Sequence, residues 1–418
     1  MNIDVIVFSI ASMIGLYMAA NIGANDLANA MGTSVGSRAL TLKQAVLVSI
    51  IANVLGAMLA GGHVTSTISK GIIDPGLLVD APDRFMLGMF AALISASLWV
   101  HLATYFGLPV STTHAIVGAV VGFGIIAVGP WAVSWGKITT IAVSWVISPA
   151  VGALIGGAIF YLIEKKIMSA KDPYATAVHY SPGLIFFVVL VLILSFIFKG
   201  LKNLHLDIGF FQTVLLTIPL AALTGLFGRK WVRWQVHRKC ELRSNPQGYS
   251  PVESLFAQLQ VLTACYVAFA HGANDVANAI GPLAAIFSVI KTKSVALQVE
   301  VPFWMLLIGG LAVGGGLFAF GARVMETIGK DITEITPIRG FCAEFGAATT
   351  ILICSRLGLP VSTTHVLVGS VVGVGLMRGM GTLDLRVLKN IGLSWIVTLP
   401  FTMVLAMVLY KLLTLILL

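Results

Sequence analysis

The octet Gly23-Ala24-Asn25-Asp26-Leu27-Ala28-Asn29-Ala30 returns as Gly272-Ala273-Asn274-Asp275-Val276-Ala277-Asn278-Ala279, and each copy lies in an apolar run long enough to cross a bilayer. A carboxylate at mid-depth costs roughly 2.5–3.5 kcal/mol on insertion scales. One acidic octet written twice therefore predicts one site built from two halves. The 418 residues are 58% hydrophobic and 10% charged, against about 25% charged in soluble domains, which predicts an all-α polytopic membrane protein. The formal net charge of +9 is spread over short loops, so it reads as a topology signal and not as a nucleic-acid face. Cys240, Cys265, Cys342 and Cys354 show no CxxC spacing and read as packing thiols. The opening Met1-Asn2-Ile3-Asp4 has no basic n-region, so the first helix is expected to be retained.

Twelve apolar segments are expected, at 5–30, 42–62, 86–106, 110–129, 138–163, 183–199, 207–228, 255–285, 300–321, 338–356, 361–378 and 390–417. A second block, Gly107-Leu108-Pro109-Val110-Ser111-Thr112-Thr113-His114, joins the third and fourth and recurs as Gly358-Leu359-Pro360-Val361-Ser362-Thr363-Thr364-His365. The octets are 249 positions apart and these blocks 251. A fainter match pairs Ser144-Trp145-Val146 with Ser394-Trp395-Ile396. The repeat is thus five segments: 1–163 is the first copy, 164–254 a two-segment insert with basic loops, and 255–418 the second copy. An odd number of crossings followed by two makes the second copy enter from the opposite face. This parity holds whether the third and fourth segments each span or form a re-entrant hairpin. Inverted repeats are a transporter signature, with the substrate near the midplane between them.

Loop charge sets the expected orientation. Loop 164–182 carries Lys165, Lys166 and Lys171, and loop 229–254 carries Arg229, Lys230, Arg233, Arg238, Lys239 and Arg243. The turn between segments six and seven has only Lys199 and Lys202. The basic loops are expected on the cytoplasmic side. Both termini then lie outside, with loop 63–85, which sets Asp74, Asp80 and Asp83 against Lys70 and Arg84.

Pro109 and Pro360 disfavour helix at the preceding leucine, and Ser111 and Ser362 are good N-caps, so a helix start is predicted inside the membrane in each half. Its free N–H groups, with the hydroxyls of Ser111, Thr112, Thr113, Ser362, Thr363 and Thr364, form a candidate anion site. For one copy, a kink with hydroxyls bonded to their own backbone is an equal alternative; two copies beside two octets favour the ligand. Asp26 and Asn29 share a helix face, as do Asp275 and Asn278, while Asn25 and Asn274 point elsewhere. Gly23 and Gly272 allow the backbone to open, so that carbonyl oxygens join a carboxylate around a hard cation. The candidates for Na+ are Asn25, Asp26, Asn274 and Asp275, the alternative being that Asp26 only caps a helix break.

Two carboxylates and an oxyanion of about −1 to −2 face only about +1 from two helix N-termini, and no lysine or arginine lies in the motifs. Roughly two or more cations or protons must enter with the anion. Cation-coupled symport follows, with Na+ or alternatively H+, no organic cofactor and no enzymatic activity.

The doubled GAND(L/V)ANA octet and the doubled GLPVSTTH block resemble those of the inorganic phosphate transporter (PiT) family, over nearly the whole chain except the insert. The resemblance implies an inverted-repeat bundle with two helical hairpins, import of phosphate with sodium or protons, and a homodimer. It implies that Asp26, Asn29, Asp275, Asn278 and the runs 111–113 and 362–364 hold phosphate and the coupling ions. It also marks Glu344, whose repeat mate is Leu93, as a coupling-ion or gating acid; an interfacial or helix-paired carboxylate is the alternative. Asn53 departs from the many animal members expected to carry glutamate there, which bears on the choice of cation. His114, His271 and His365 read as hydrogen-bonded packing groups, and Gly309, Gly310 and Gly314 to Gly316 as close helix packing.

The reading is a phosphate symporter of the cytoplasmic (inner) membrane, working by alternating access. Phosphate is preferred to sulfate because near neutral pH it keeps a proton that a carboxylate can accept; a metal–phosphate complex is a further alternative. An anion channel would need polar lining at every depth, whereas these polar groups gather at one. A hydrolase using Ser111, His114 and Asp26 would need one triad, not two copies.

Overall fold

Backbone N–H and C=O groups find no water in a bilayer, and this chain satisfies them with helices almost throughout. The computed structural model describes residues 3–195, 210–241, 250–295, 301–326, 335–379 and 383–418. Among these, the pairing outside helices is an isolated bridge between Ile73 and Val133.

Helix α1 (Ile3–Ile22) passes through one π-turn (Gly23–Leu27) into α2 (Ala28–Gly36). Helix α3 (Leu42–Ala60) starts on a capping box, with the Gln44 N–H donating to Thr41 Oγ1 at 3.3 Å and the Thr41 N–H to Gln44 Oε1 at 3.0 Å. Helices α4 (Gly62–Lys70), α5 (Pro82–Tyr105), α6 (Thr112–Ala127) and α7 (Trp135–Ile163) complete the first half. Helices α8 (Pro173–Ser195) and α9 (Phe210–Glu241) follow and pack on each other. The second half holds α10 (Pro251–Thr292), α11 (Phe303–Phe320), α12 (Ala322–Glu326), α13 (Pro337–Arg356), α14 (Thr363–Arg378) and α15 (Leu385–Leu417).

Ten spans among the described residues are long and apolar enough to cross a membrane, which makes this a multi-pass membrane protein. The two remaining apolar segments are α6 and α14, of 16 residues each. At 1.5 Å per residue each is about 24 Å long, short of a hydrocarbon core of about 30 Å.

The linkers before α6 and α14 show how eight residues stop one helix and start another. Gly107 and Gly358 take φ of 68° and 69°, a left-handed conformation that glycine adopts without the Cβ penalty. Leu108 N–H then reaches Ala103 O at 2.9 Å and Gly107 N–H reaches Thr104 O at 3.0 Å, a Schellman closure of α5. The second copy repeats it, from Leu359 to Cys354 at 3.0 Å and from Gly358 to Ser355 at 3.1 Å. Four residues on, Ser111 and Ser362 cap the next helices by accepting from His114 N–H at 3.1 Å and His365 N–H at 3.2 Å.

The halves interlock. Helix α7 lies against α13 and α14, while α15 lies against α5 and α6; α1 meets α11, and α3 meets α10. The crossings are so tight that a Cβ at Gly23 would stand 1.7 Å from Val313 O, and one at Gly272 would stand 2.0 Å from Asn53 O. Their counterparts across the same crossings are Gly316, against Ala20 O at 1.8 Å, and Gly56, against Phe269 O at 2.0 Å. The expected glycine packing on α11 therefore holds at Gly309, Gly310, Gly314 and Gly316, but a side chain at Gly315 would meet open space.

Two loops differ from expectation. The stretch 229–241 contains neither glycine nor proline, so α9 carries on past its apolar part and Arg229 and Lys230 sit on a helix. Loop 63–85 contains most of α4 and a 3₁₀ turn at Pro75–Leu78. Arg243, Lys199 and Lys202 lie outside the described residues.

Candidate functional site

The π-turn and α10 bring the two octets to the two hairpin starts, and Asp26, Asn29, Asp275 and Asn278 are all buried. Each aspartate is held first by a threonine of its own half. Thr112 Oγ1 donates to Asp26 Oδ2, and Thr363 Oγ1 donates to Asp275 Oδ2 at 2.5 Å. The asparagines reach across: Asn29 Nδ2 donates to Thr364 Oγ1 at 2.8 Å, and Asn278 Nδ2 points at Thr112 and Thr113 Oγ1 at 3.1 and 3.2 Å. The hairpin starts are tied to each other as well. Thr113 Oγ1 donates to Val361 O at 3.1 Å, and Thr364 Oγ1, with one proton, faces both Asp26 Oδ1 at 2.9 Å and Val110 O at 3.2 Å.

Asn29 Oδ1 and Asn278 Oδ1 are buried acceptors with no donor. Unpaired buried oxygens of this kind cost free energy unless a cation or water meets them. Beside two carboxylates they form a set of hard oxygen ligands suited to an alkali or alkaline-earth ion.

Asn25 and Asn274 have other work. Asn25 Nδ2 donates to Thr104 Oγ1 at 3.0 Å and Leu108 O at 2.9 Å, while its Oδ1 accepts from Val110 N–H at 3.0 Å. Both atoms of its amide are engaged in stapling the first linker, which leaves one lone pair of Oδ1 for an ion. Asn274 spans both roles: its Nδ2 donates to Val361 O at 2.8 Å and to Asp275 Oδ1 at 2.7 Å. The glycines also act differently from expectation. The first octet opens into a π-turn while the second lies in uninterrupted α-helix, and both Gly23 and Gly272 are placed by close backbone crossings.

His271 is closer to this centre than its reading as a packing group implied. Its Nε2 lies 3.0 Å from Asp275 Oδ2, near enough for an ion pair though not aligned as a hydrogen bond, and its Nδ1 meets Asn53 Oδ1 at 2.9 Å. One ligand atom each of Asp26, His271 and Asp275 lies within 4.8 Å of the others. The i, i+4 spacing of His271 and Asp275 is the signal that places both on one helix face. The repeat relation hides it, since the mate of His271 is Ile22. His114 and His365 are packing groups, their rings 4.4 Å apart and each against a tryptophan of the other end of its own half, Trp145 at 3.8 Å and Trp395 at 3.6 Å.

Glu344 stands apart, facing α2 at a level about 11 Å along that helix from Asp26. Its Oε1 accepts from Thr33 Oγ1 at 2.7 Å, Ser34 Oγ at 2.6 Å and Gln260 Nε2 at 3.0 Å, and its Oε2 accepts from Thr263 Oγ1 at 2.6 Å. A buried carboxylate with four neutral donors is neither interfacial nor ion-paired along its own helix. The four donors carry no signal in sequence, because they are neutral residues from two helices more than 200 positions apart.

Two buried carboxylates and two hydroxyl-rich helix starts, meeting at the centre of a polytopic helical bundle, are the arrangement of a membrane transporter. The sequence signature of the phosphate transporter family matches residues 22–406, and the chain belongs to that family. A relative in Pyrococcus furiosus is 43% identical over 402 residues, covering 96% of this chain and 95% of its own. The inorganic phosphate transporter 2-1 of Arabidopsis thaliana, a chloroplastic protein, is 40% identical over 412 residues, covering 95% of this chain and 70% of its own. The solved structure of a sodium-dependent phosphate transporter superposes with a TM-score of 0.91 at 42% identity, covering 98% of this chain and all of the other.

Proposed function

We propose that this chain imports inorganic phosphate by cation-coupled symport, with Na+ as the coupling ion and alternating access between two inverted halves. The observation that carries the proposal is the placing of Asp26 and Asp275, with the unpaired oxygens of Asn29 and Asn278, directly against the hydroxyls of the two helix starts. Alone, two carboxylates repel a phosphate. With cations seated on the carboxylates and amide oxygens, Thr112, Thr113, Thr363 and Thr364 turn their protons to phosphate, and the N-termini of α6 and α14 supply N–H donors. Ser111 and Ser362 bind through their N-cap positions at the same helix starts. Phosphate is the better substrate than sulfate because its remaining proton meets a carboxylate.

His271 joins the cation set, held in orientation by Asn53, which acts as an outer partner of the kind that fixes a ligating imidazole. Glu344 is a second coupling-ion or gating position, its carboxylate already surrounded by oxygen-bearing side chains. Na+ is preferred to H+ because the donors are hard oxygens, and the name of the superposing transporter agrees. Residues 1–163 and 255–418 act as the two inverted units and 164–254 as the insert, in a cytoplasmic membrane with both termini outside.

The test is phosphate uptake by purified protein in proteoliposomes with sodium and proton gradients imposed separately. Uptake driven by an inward sodium gradient alone is the expected result. Uptake indifferent to both gradients would refute symport, and competition by unlabelled sulfate at equal concentration would shift the assignment of the anion.

A further inference from the structure

On the flank of the bundle, away from the central site, lies a groove of about 480 Å³ between the end of α7, the first half of α8 and α13. Its walls are apolar: Ile163 from the end of α7 and Ile167 from the π-turn after it (Glu164–Met168), Leu184 and Phe187 from α8, Phe341 and Phe345 from α13. A volume of this size falls in the range of sites that hold a small organic ligand. Gly183 lies in its lining and is exposed, and a Cβ added there meets nothing within 4 Å. At its rim stand Tyr180, 45% exposed, and Lys166, the one charged residue lining the groove.

Lys166 has no carboxylate partner among the described residues, whereas its neighbour Lys165 is occupied, with Nζ 3.4 Å from Tyr161 Oη and 5.6 Å over its ring. An apolar trough in a membrane-spanning face with a free ammonium and a phenol at one end matches an amphiphile with the opposite charge. We propose that the groove is a binding site for one anionic glycerophospholipid, an acyl chain lying along the apolar walls and the headgroup phosphate meeting Lys166 and Tyr180. Basic pockets between membrane helices hold anionic headgroups in this way, and the chain adds apolar contact along its length.

The lipid lies against α13. Phe341 and Phe345 line the groove, and Glu344, on the adjoining face of the same helix, accepts from Thr33 and Thr263. Occupancy therefore packs against the helix that carries Glu344.

The experiment is native mass spectrometry of the purified full chain, titrated with phosphatidylglycerol or phosphatidylcholine. One phosphatidylglycerol per chain is expected to survive delipidation. Lys166→Glu, a change at an exposed position, lowers its retention about fivefold relative to phosphatidylcholine, and Gly183→Trp, which fills the groove, removes both lipids. Unchanged thermal unfolding of Lys166→Glu shows that the variant is folded. Equal loss of both lipids in Lys166→Glu overturns the headgroup assignment. Full retention in Gly183→Trp overturns the groove, and a changed oligomeric state with unchanged lipid would assign the surface to a second copy. The readout is bound lipid, so it stands independently of whether transport is coupled to sodium.

Discussion

Asp26 and Asp275 are repeat mates with different partners. Asp26 meets only hydroxyls, whereas Asp275 has Thr363, Asn274 and the imidazole of His271. Removing the charge at Asp275 takes a ligand from the proposed cation set while leaving an amide of the same shape. Asp275→Asn is expected to abolish phosphate uptake in vesicles with membrane expression intact; normal uptake would exclude Asp275 from the site. Thr364→Val strips a partner from Asn29 and from Asp26 together, and a hydrogen bond to a charged group contributes about 1.5–3 kcal/mol. The half-saturating phosphate concentration should rise tenfold or more, and an unchanged value would mean that the second helix start is structural. At Glu344, the change to Gln keeps the packing and removes the charge. The expected result is uptake that loses part of its steepness in sodium concentration, and an unaltered sodium dependence would leave Glu344 a structural residue.

Much of this was legible residue by residue where the chemistry is local. Serine after proline announces an N-cap, and Ser111 and Ser362 are N-caps. Asn25 was not legible as a staple, because its partners Thr104, Leu108 and Val110 are about 80 positions away in sequence. His271 escaped for a different reason: a reading built on duplication looks for pairs, and His271 has none.

At the level of elements, the helix–linker–helix units stand on a few backbone conformations. Gly107→Ala forces a Cβ into a left-handed backbone at φ 68°, costing about 1–2 kcal/mol, and should lower the unfolding temperature measured in detergent. Gly358→Ala should do the same. The proline signal marked these breaks in sequence, but the glycine four residues before the serine carries the preceding helix to its end. Helix α8 shows the complementary solution. Pro182 lies inside it and leaves Val178 O without its usual N–H, and Ser181 Oγ donates to that oxygen at 3.0 Å. The break that the hairpins exploit is here repaired within a turn.

For the whole molecule, segment number and order followed from hydropathy and spacing, whereas the way the halves interlock did not. No periodicity reports that α7 packs on α13 and α14 or α15 on α5 and α6. The inversion itself is open to a direct check. Gly136 and Arg386 are exposed and repeat-related positions at the starts of α7 and α15. In a background lacking the four native cysteines, Gly136→Cys and Arg386→Cys should react with a membrane-impermeant thiol reagent from opposite sides. Labelling from the same side would rule out inverted repeats.

The reciprocal bonds between the hairpin starts, Thr113 to Val361 O and Thr364 to Val110 O, mean that neither half contains the whole polar cluster. Each supplies a carboxylate whose neighbourhood is completed by hydroxyls or amides from the other. A half-length polypeptide of this design would lack part of the surroundings of its own carboxylate until it met a second copy. Fusion into one chain fixes that encounter permanently, and it frees the two copies to diverge at positions such as Ile22 and His271 without losing each other.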